Sequence, residues 1–247
     1  MSRQLNVVIA QINLLVGDIA GNTERIIHTA HQAVARFSAD IVVFPELSLI
    51  SYPPEDLLLR PALQGRIDIA LQALCRAGIP VAMVVGHPQQ DQGKLYNALS
   101  VIQHGNIVGR YYKQCLPNYQ VFDEQRYFAA GNKPCVLPIK HVAVAFTICE
   151  DLWQIEPTRQ ASESGAELLI NINASPFSKQ KLEQRMALLG RRAKESDTPI
   201  VYVNLVGGQD ELVFDGYSMV SDAQGSVSVV GDGFKEDLTL VQFDLLS

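Results

Sequence analysis

The sequence predicts a layered α/β fold, with paired sheets inside and helices outside. Strand-like and helix-like segments alternate from one end of the 247 residues to the other. Several strand segments are continuous apolar, β-branched runs, such as DIVVF at 40–44, the pattern of strands covered on both faces. A hairpin signal, residues 95–103 and 107–112 around His104-Gly105-Asn106, adds antiparallel pairing to these βα units.

In chain order, residues 5–12 read as a buried strand and 22–38 as a helix opened by Asn22 or Thr23. Residues 40–44 form the second strand, 61–77 a second long helix and 81–86 a third strand, before the hairpin. The second half repeats the theme, with strands at 141–148 and 168–172, a short helix at 158–164 and a longer one at 179–196. Strands at 200–205, 216–221, 226–230 and 239–243 complete the chain, and no sequence repeat is present. Gly207-Gly208 and Asp215-Gly216 fit turns between the last strands, with glycine supplying positive φ. Neither GxGxxG after a strand nor GxxxxGK[ST] occurs, so a doubly wound nucleotide-binding fold has no motif to support it.

Composition narrows the function classes. Hydrophobic residues are 47% and charged residues 19%, enough apolar material for a sizeable core. A net charge of −6 without a Lys/Arg cluster argues against nucleic acid or an anionic membrane as partner. No apolar run reaches the roughly 20 residues that span a bilayer. The opening MSRQLNVVIAQINLLVGD is broken by Gln and Asn, unlike a secretory signal, so a cytoplasmic protein is expected. Cys75, Cys115, Cys135 and Cys149 lack CxxC pairing, which opposes a disulfide framework and a structural metal site.

Three polar residues stand at the ends of strand-like runs, where α/β sheets place their ligands: Glu46 after IVVFP, Lys113 after IVGRYY and Cys149 after VAVAFTI. Taken singly, each has a plainer reading: a solvated loop carboxylate, a surface lysine, a buried small hydrophobe. Together they make chemical sense. A thiol needs its proton removed or its thiolate stabilised, and here a carboxylate can shuttle the proton while a lysine supplies positive charge. His87 and His104 read as structural, and no histidine lies in the three segments.

Glu46 in FPELSLISYPPEDLL, Lys113 in GRYYKQCLPNY and Cys149 in ICEDLW, in that order, resemble the Glu-Lys-Cys triad of the nitrilase superfamily. A closer resemblance is to the amide-hydrolysing domain of glutamine-dependent NAD synthetases. It is carried by AQINLLVGDIAGN, LPNYQVFDEQRYF, INASPFSKQK and YVNLVGGQDELVFDGYS, and the LPNYxVFDExRYF run is its best discriminator. The resemblance covers essentially the whole chain. It implies a four-layer αββα sandwich, one carbon-nitrogen hydrolase domain over 1–247, and assembly as a homodimer or higher homo-oligomer.

The same resemblance implies that Cys149 attacks the side-chain amide of L-glutamine, with Glu46 as general base and then acid. Lys113 and the backbone N–H of Glu150 would hold the oxyanion. A catalytic carboxyl of this kind works best with its pKa moved toward neutrality by partial burial. Glu124 matches a second glutamate that orders the lysine and the substrate amide. Tyr119, Ser175 and Lys181 match glutamine-binding positions, and Phe122, Trp153 and Phe177 are expected to wall the pocket. Whole relatives carry a C-terminal synthetase domain with an SGGxDS-like loop, using ATP and Mg to amidate deamido-NAD. That loop is absent here, so no cofactor is expected of this domain itself. A free-standing amidase of the superfamily acting on another small carboxamide is the alternative.

Overall fold

A computed structural model describes residues 3–119 and 121–245; Met1, Ser2, Leu246, Ser247 and Gln120 of the LPNYQVFDEQRYF run lie outside the described residues. The elements are β1 (Arg3–Gln11), α1 (Ile19–Phe37), β2 (Ile41–Val43), α2 (Leu63–Arg76), β3 (Ala82–Asp91), β4 (Lys94–Gln103) and β5 (Asn106–Tyr112). They continue with β6 (Val136–Ile139), β7 (Val142–Ile148), α3 (Ile155–Glu163), β8 (Leu168–Asn173), α4 (Lys181–Ser196) and β9 (Ile200–Asn204). The last five are β10 (Val206–Gln209), β11 (Leu212–Asp215), β12 (Met219–Ser221), β13 (Val227–Val229) and β14 (Asp237–Leu245).

Two six-stranded sheets result, ordered β14-β1-β2-β3-β4-β5 and β13-β12-β9-β8-β7-β6. Each has three central parallel strands, β1-β2-β3 and β7-β8-β9, flanked by antiparallel neighbours. Side-chain alternation builds the layers. Along β1, Leu5, Val7 and Ile9 enter the core between the sheets, where they meet Val144, Phe146 and Ile170. Val8 and Ala10 face the other way, onto Ile26 and Ala30 of α1 and Leu71 of α2. On the second sheet, Ala145, Leu169 and Ile200 face Leu188 and Ala193 of α4. Continuous apolar runs in β2, β7 and β8 are thus explained by burial on both faces, and the expected αββα sandwich is the fold observed.

Several boundaries differ for local reasons. Helix α1 starts at Ile19 because Asp18 caps it, accepting the Gly21 N–H at 3.0 Å. Asn22, expected as the cap, instead donates to the carbonyls of Leu15 and Leu49. The strand expected at 216–221 shortens to β12, and the 139–136 partner of β7 was not anticipated. Gly207 and Gly208 lie within β10 rather than in a turn; the β10–β11 turn falls at Asp210-Glu211. Gly207 has φ 129°, and a Cβ there would meet Asn13 Oδ1 at 2.2 Å, so close approach explains that glycine. Gly216, with φ 67°, is the turn residue expected. Among the described residues no helix is long and apolar enough to cross a membrane.

Candidate active site

The site forms where β2, β5, β7 and β8 end. Glu46 lies three residues beyond β2 and is wholly buried. Its Oε1 accepts from Lys113 Nζ at 2.7 Å and Asn97 Nδ2 at 2.8 Å; its Oε2 accepts the Ala174 N–H, just past β8, at 2.9 Å. Lys113 follows β5 directly, is equally buried, and also donates to Glu124 Oε1 at 2.8 Å. Tyr52 donates to the same oxygen at 3.0 Å. One ammonium is therefore clamped between two carboxylates from different segments.

Burial opposes the charge on Lys113, yet Glu124 and Glu46 outweigh it and hold the ammonium pKa well above the usual lysine range. Glu124 is raised as well, but toward its neutral form: burial pushes its carboxyl up to about 7, with Lys113 pulling it back. Among the described residues its Oε2 and Asn97 Oδ1 are buried without a hydrogen-bond partner, which is uncommon for polar atoms inside a protein. Beyond Glu124 opens a cavity of about 170 Å³, lined by Tyr52, Leu58, Glu124, Arg126, Tyr127 and Phe128.

Cys149 starts a short 3-10 turn, Cys149–Leu152, at the end of β7, with φ 48°. A non-glycine residue in this region is strained and persists only when its surroundings hold it. Burial and then Glu46 push the thiol well above its ordinary range, and Lys113 draws it down. The resting group is therefore a neutral thiol that needs a base at the moment of attack.

The remaining predicted residues divide into two sets. Tyr119 donates to Glu150 Oε2 at 2.8 Å, and Phe122 packs edge-on against Tyr119 and Tyr52. Burial raises the Glu150 carboxyl, while Tyr119, Lys113 and Lys181 lower it; Tyr119 and Lys181 thus both act on Glu150, the residue after Cys149. The Lys181 ammonium lies over the Trp153 ring at 4.3 Å. Ser175 is buried, its N–H bound to Asn204 Oδ1 at 2.9 Å. Phe177 stands apart: it is 49% exposed and packs on Phe234.

Sequence reasoning missed Tyr52, Asn97, Tyr111 and Asp151. Asn97 carries the clearest signal, one amide inside the apolar stretch of β4 (KLYNALSVIQ). Of the histidines, His87 is wholly buried between Ser100 Oγ and the Pro88 carbonyl, and burial lowers it to about 4; it is structural, as expected. All four cysteines are free.

Known proteins give this geometry its context. The carbon-nitrogen hydrolase family profile matches residues 6–247. The chain is 45% identical over 241 residues to a glutamine-dependent NAD(+) synthetase of Xanthomonas campestris, covering 97% of this chain and 44% of that protein. A synthetase of the same description from Aquifex aeolicus is 43% identical, covering 98% and 42%. The solved glutamine-dependent NAD+ synthetase of Acinetobacter baumannii, in complex with ADP, superposes with a TM-score of 0.94 at 40% identity, covering 98% of this chain and 46% of that one. An amidase from Nesterenkonia, of the nitrilase superfamily, has a TM-score of 0.88 at 24% identity, covering 98% and 91%; that likeness speaks for the fold alone. This chain spans less than half the length of the synthetases it matches.

Proposed function

The chain belongs to the carbon-nitrogen hydrolase family, and on that premise we propose that it hydrolyses the side-chain amide of L-glutamine through a thioester on Cys149. The observation that carries the reading is the buried Glu46–Lys113–Glu124 cluster whose charges act on Cys149, itself held at φ 48° where β7 ends.

Glu46 takes the thiol proton as Sγ bonds to the amide carbon, and the carbonyl electrons move onto oxygen. Lys113, helped by the Glu150 N–H, holds that oxyanion, a contribution of about 2.7–4 kcal/mol for one fixed donor. The tetrahedral adduct collapses, the C–N bond breaks, and Glu46 passes its proton to the departing ammonia. Glu46 then deprotonates a water that attacks the γ-glutamyl thioester; the C–S bond breaks and the proton returns to sulfur. Glutamate and ammonia are the products.

On the same reading, Lys181, Tyr119 and Ser175 receive the α-carboxylate and α-ammonium of glutamine. The ammonia serves a synthetase domain, a reading supported by the likeness to glutamine-dependent NAD(+) synthetases; the same proposal has that domain use ATP and Mg to amidate deamido-NAD, in a cytoplasmic homo-oligomer.

Measuring ammonia and glutamate release from glutamine, beside butyramide and an N-carbamoyl amino acid, tests the substrate. Glutamine is expected to have the highest kcat/KM. Faster turnover of butyramide than of glutamine would transfer the assignment to a general small-amide amidase.

A further inference from the structure

We propose that Asp151 is a positioning residue that ties the two sheets together at the reacting centre, fixing the Lys113 turn relative to the Cys149 elbow. Its carboxylate makes four hydrogen bonds. Oδ1 accepts the N–H groups of Gln114 at 3.0 Å and Cys115 at 2.7 Å, the two residues after Lys113. Oδ2 accepts the Tyr111 hydroxyl at 2.8 Å and the N–H of Ile148, the residue before Cys149, at 3.0 Å. Tyr111, Gln114 and Cys115 belong to β5 and its exit, in the first sheet; Ile148 ends β7, in the second.

Asp151 is wholly buried, and among the described residues it makes no direct ion pair. Removing a carboxylate from water is costly unless its oxygens are fully used, and here each oxygen holds two donors. The core between the sheets is otherwise filled by apolar side chains such as Val144, Phe146 and Leu99. The carboxylate also has a local structural role, since it accepts three backbone N–H groups and caps the Cys149–Leu152 turn. What distinguishes this point is that both segments it grips carry reacting groups. The Ile148 bond also anchors the residue preceding the strained φ of Cys149. Burial pushes the Asp151 carboxyl up to about 6, with the Ile148 and Cys115 hydrogen bonds opposing it.

Asp151→Asn keeps the volume and one accepting oxygen, but turns an amide NH2 toward the Ile148 N–H, donor against donor. Misplacing reacting groups by about 1 Å costs about 100-fold in rate, so kcat for glutamine should fall about that much, with KM within about twofold. The proposal rests on Cys149 as nucleophile and not on glutamine as substrate. A second readout is therefore iodoacetamide alkylation of Cys149 against pH, followed by intact mass and peptide mapping. Glu46, Glu124 and Glu150 face the thiol as negative charges and Lys113 as the positive one. Displacing Lys113 removes its downward pull and moves the alkylation midpoint to higher pH. Asp151→Asn also removes a nearby negative charge, which alone would lower it, so the upward shift is read as well in Tyr111→Phe, which keeps that charge. A folded variant with wild-type kcat and an unmoved midpoint overturns the proposal. A moved midpoint without glutamine turnover in either protein supports it and overturns the glutamine assignment instead. Should the Asn variant not fold, Tyr111→Phe decides: loss of one of the four bonds should lower kcat several-fold and shift the midpoint the same way, and an unchanged midpoint overturns the proposal.

Discussion

The interior end of the site and its rim are built on opposite principles. Inside, Glu46, Lys113 and Asp151 are wholly buried and held largely by hydrogen bonds to other segments of the chain, the Ile148 N–H on Asp151 being a local exception. At the rim, Tyr119 is 44% exposed and bonds to Glu150, Lys181 leans on Trp153, and Phe177 turns toward Phe234. The interior has its charge pattern in place before any ligand arrives, which is how fixed dipoles and charges lower a barrier without reorganising during the reaction. The rim residues hold one another in contacts that a ligand can replace. Chemistry and recognition are thus separable, and substitutions should sort accordingly: interior changes should act on kcat, rim changes on KM.

The largest effect is expected at the nucleophile and its base. Cys149→Ala should reduce amide hydrolysis to background, and Glu46→Gln should lower kcat about 10²–10⁴-fold, the usual worth of a general acid–base group. Equal loss of both parameters at a rim position would break the division. Next, Lys113→Met removes the oxyanion donor and leaves two buried carboxylates facing each other. Single-turnover kinetics should show a loss of about 10²–10³-fold, and urea unfolding a loss of about 3–5 kcal/mol, typical of breaking a buried pair from one side.

Rim substitutions should be milder. Lys181→Ala should raise KM for glutamine about tenfold, the value of one hydrogen bond to a charged group, with kcat little changed. A fall in kcat with KM constant would place Lys181 in the interior class.

The smallest effect is a dependence of stability on pH. Glu124 is raised from the ordinary 4.5 to about 7, chiefly by burial. The folded state therefore binds this proton more tightly than the unfolded state between those values. Its contribution is full below pH 4.5 and is lost as pH rises toward 7. Thermal midpoints of Glu124→Gln should accordingly improve relative to the wild type as pH goes from 4.5 to 7, and a constant difference would contradict the shift.

Much of this was legible in the sequence because it is local. Apolar runs at β2, β7 and β8 announced two-sided burial; Glu46 and Cys149 stand at the ends of two such runs, and Lys113 directly follows the half-exposed β5. The β10–β11 hairpin was misread because two glycines normally signal a turn, whereas Gly207 is set by its approach to Asn13, nearly two hundred residues away in the chain. Asn97 and Asp151 escaped for a related reason. Their roles come from bonds to distant segments of the chain, and nothing in KLYNALS or ICEDLW states which distant partners will arrive. Glu124 became a site residue through the motif resemblance, since its own neighbours, Asp123 and Gln125, read as a solvated loop.

The central claim, a glutamine-specific nucleophile at Cys149, is tested most directly by exposing the intact protein to 6-diazo-5-oxo-L-norleucine, a reactive glutamine analogue, and mapping the adduct by mass spectrometry. The account predicts one adduct, on Cys149, prevented by excess glutamine and unaffected by butyramide. An adduct on Cys75, Cys115 or Cys135, or labelling of Cys149 that glutamine does not slow, would contradict it.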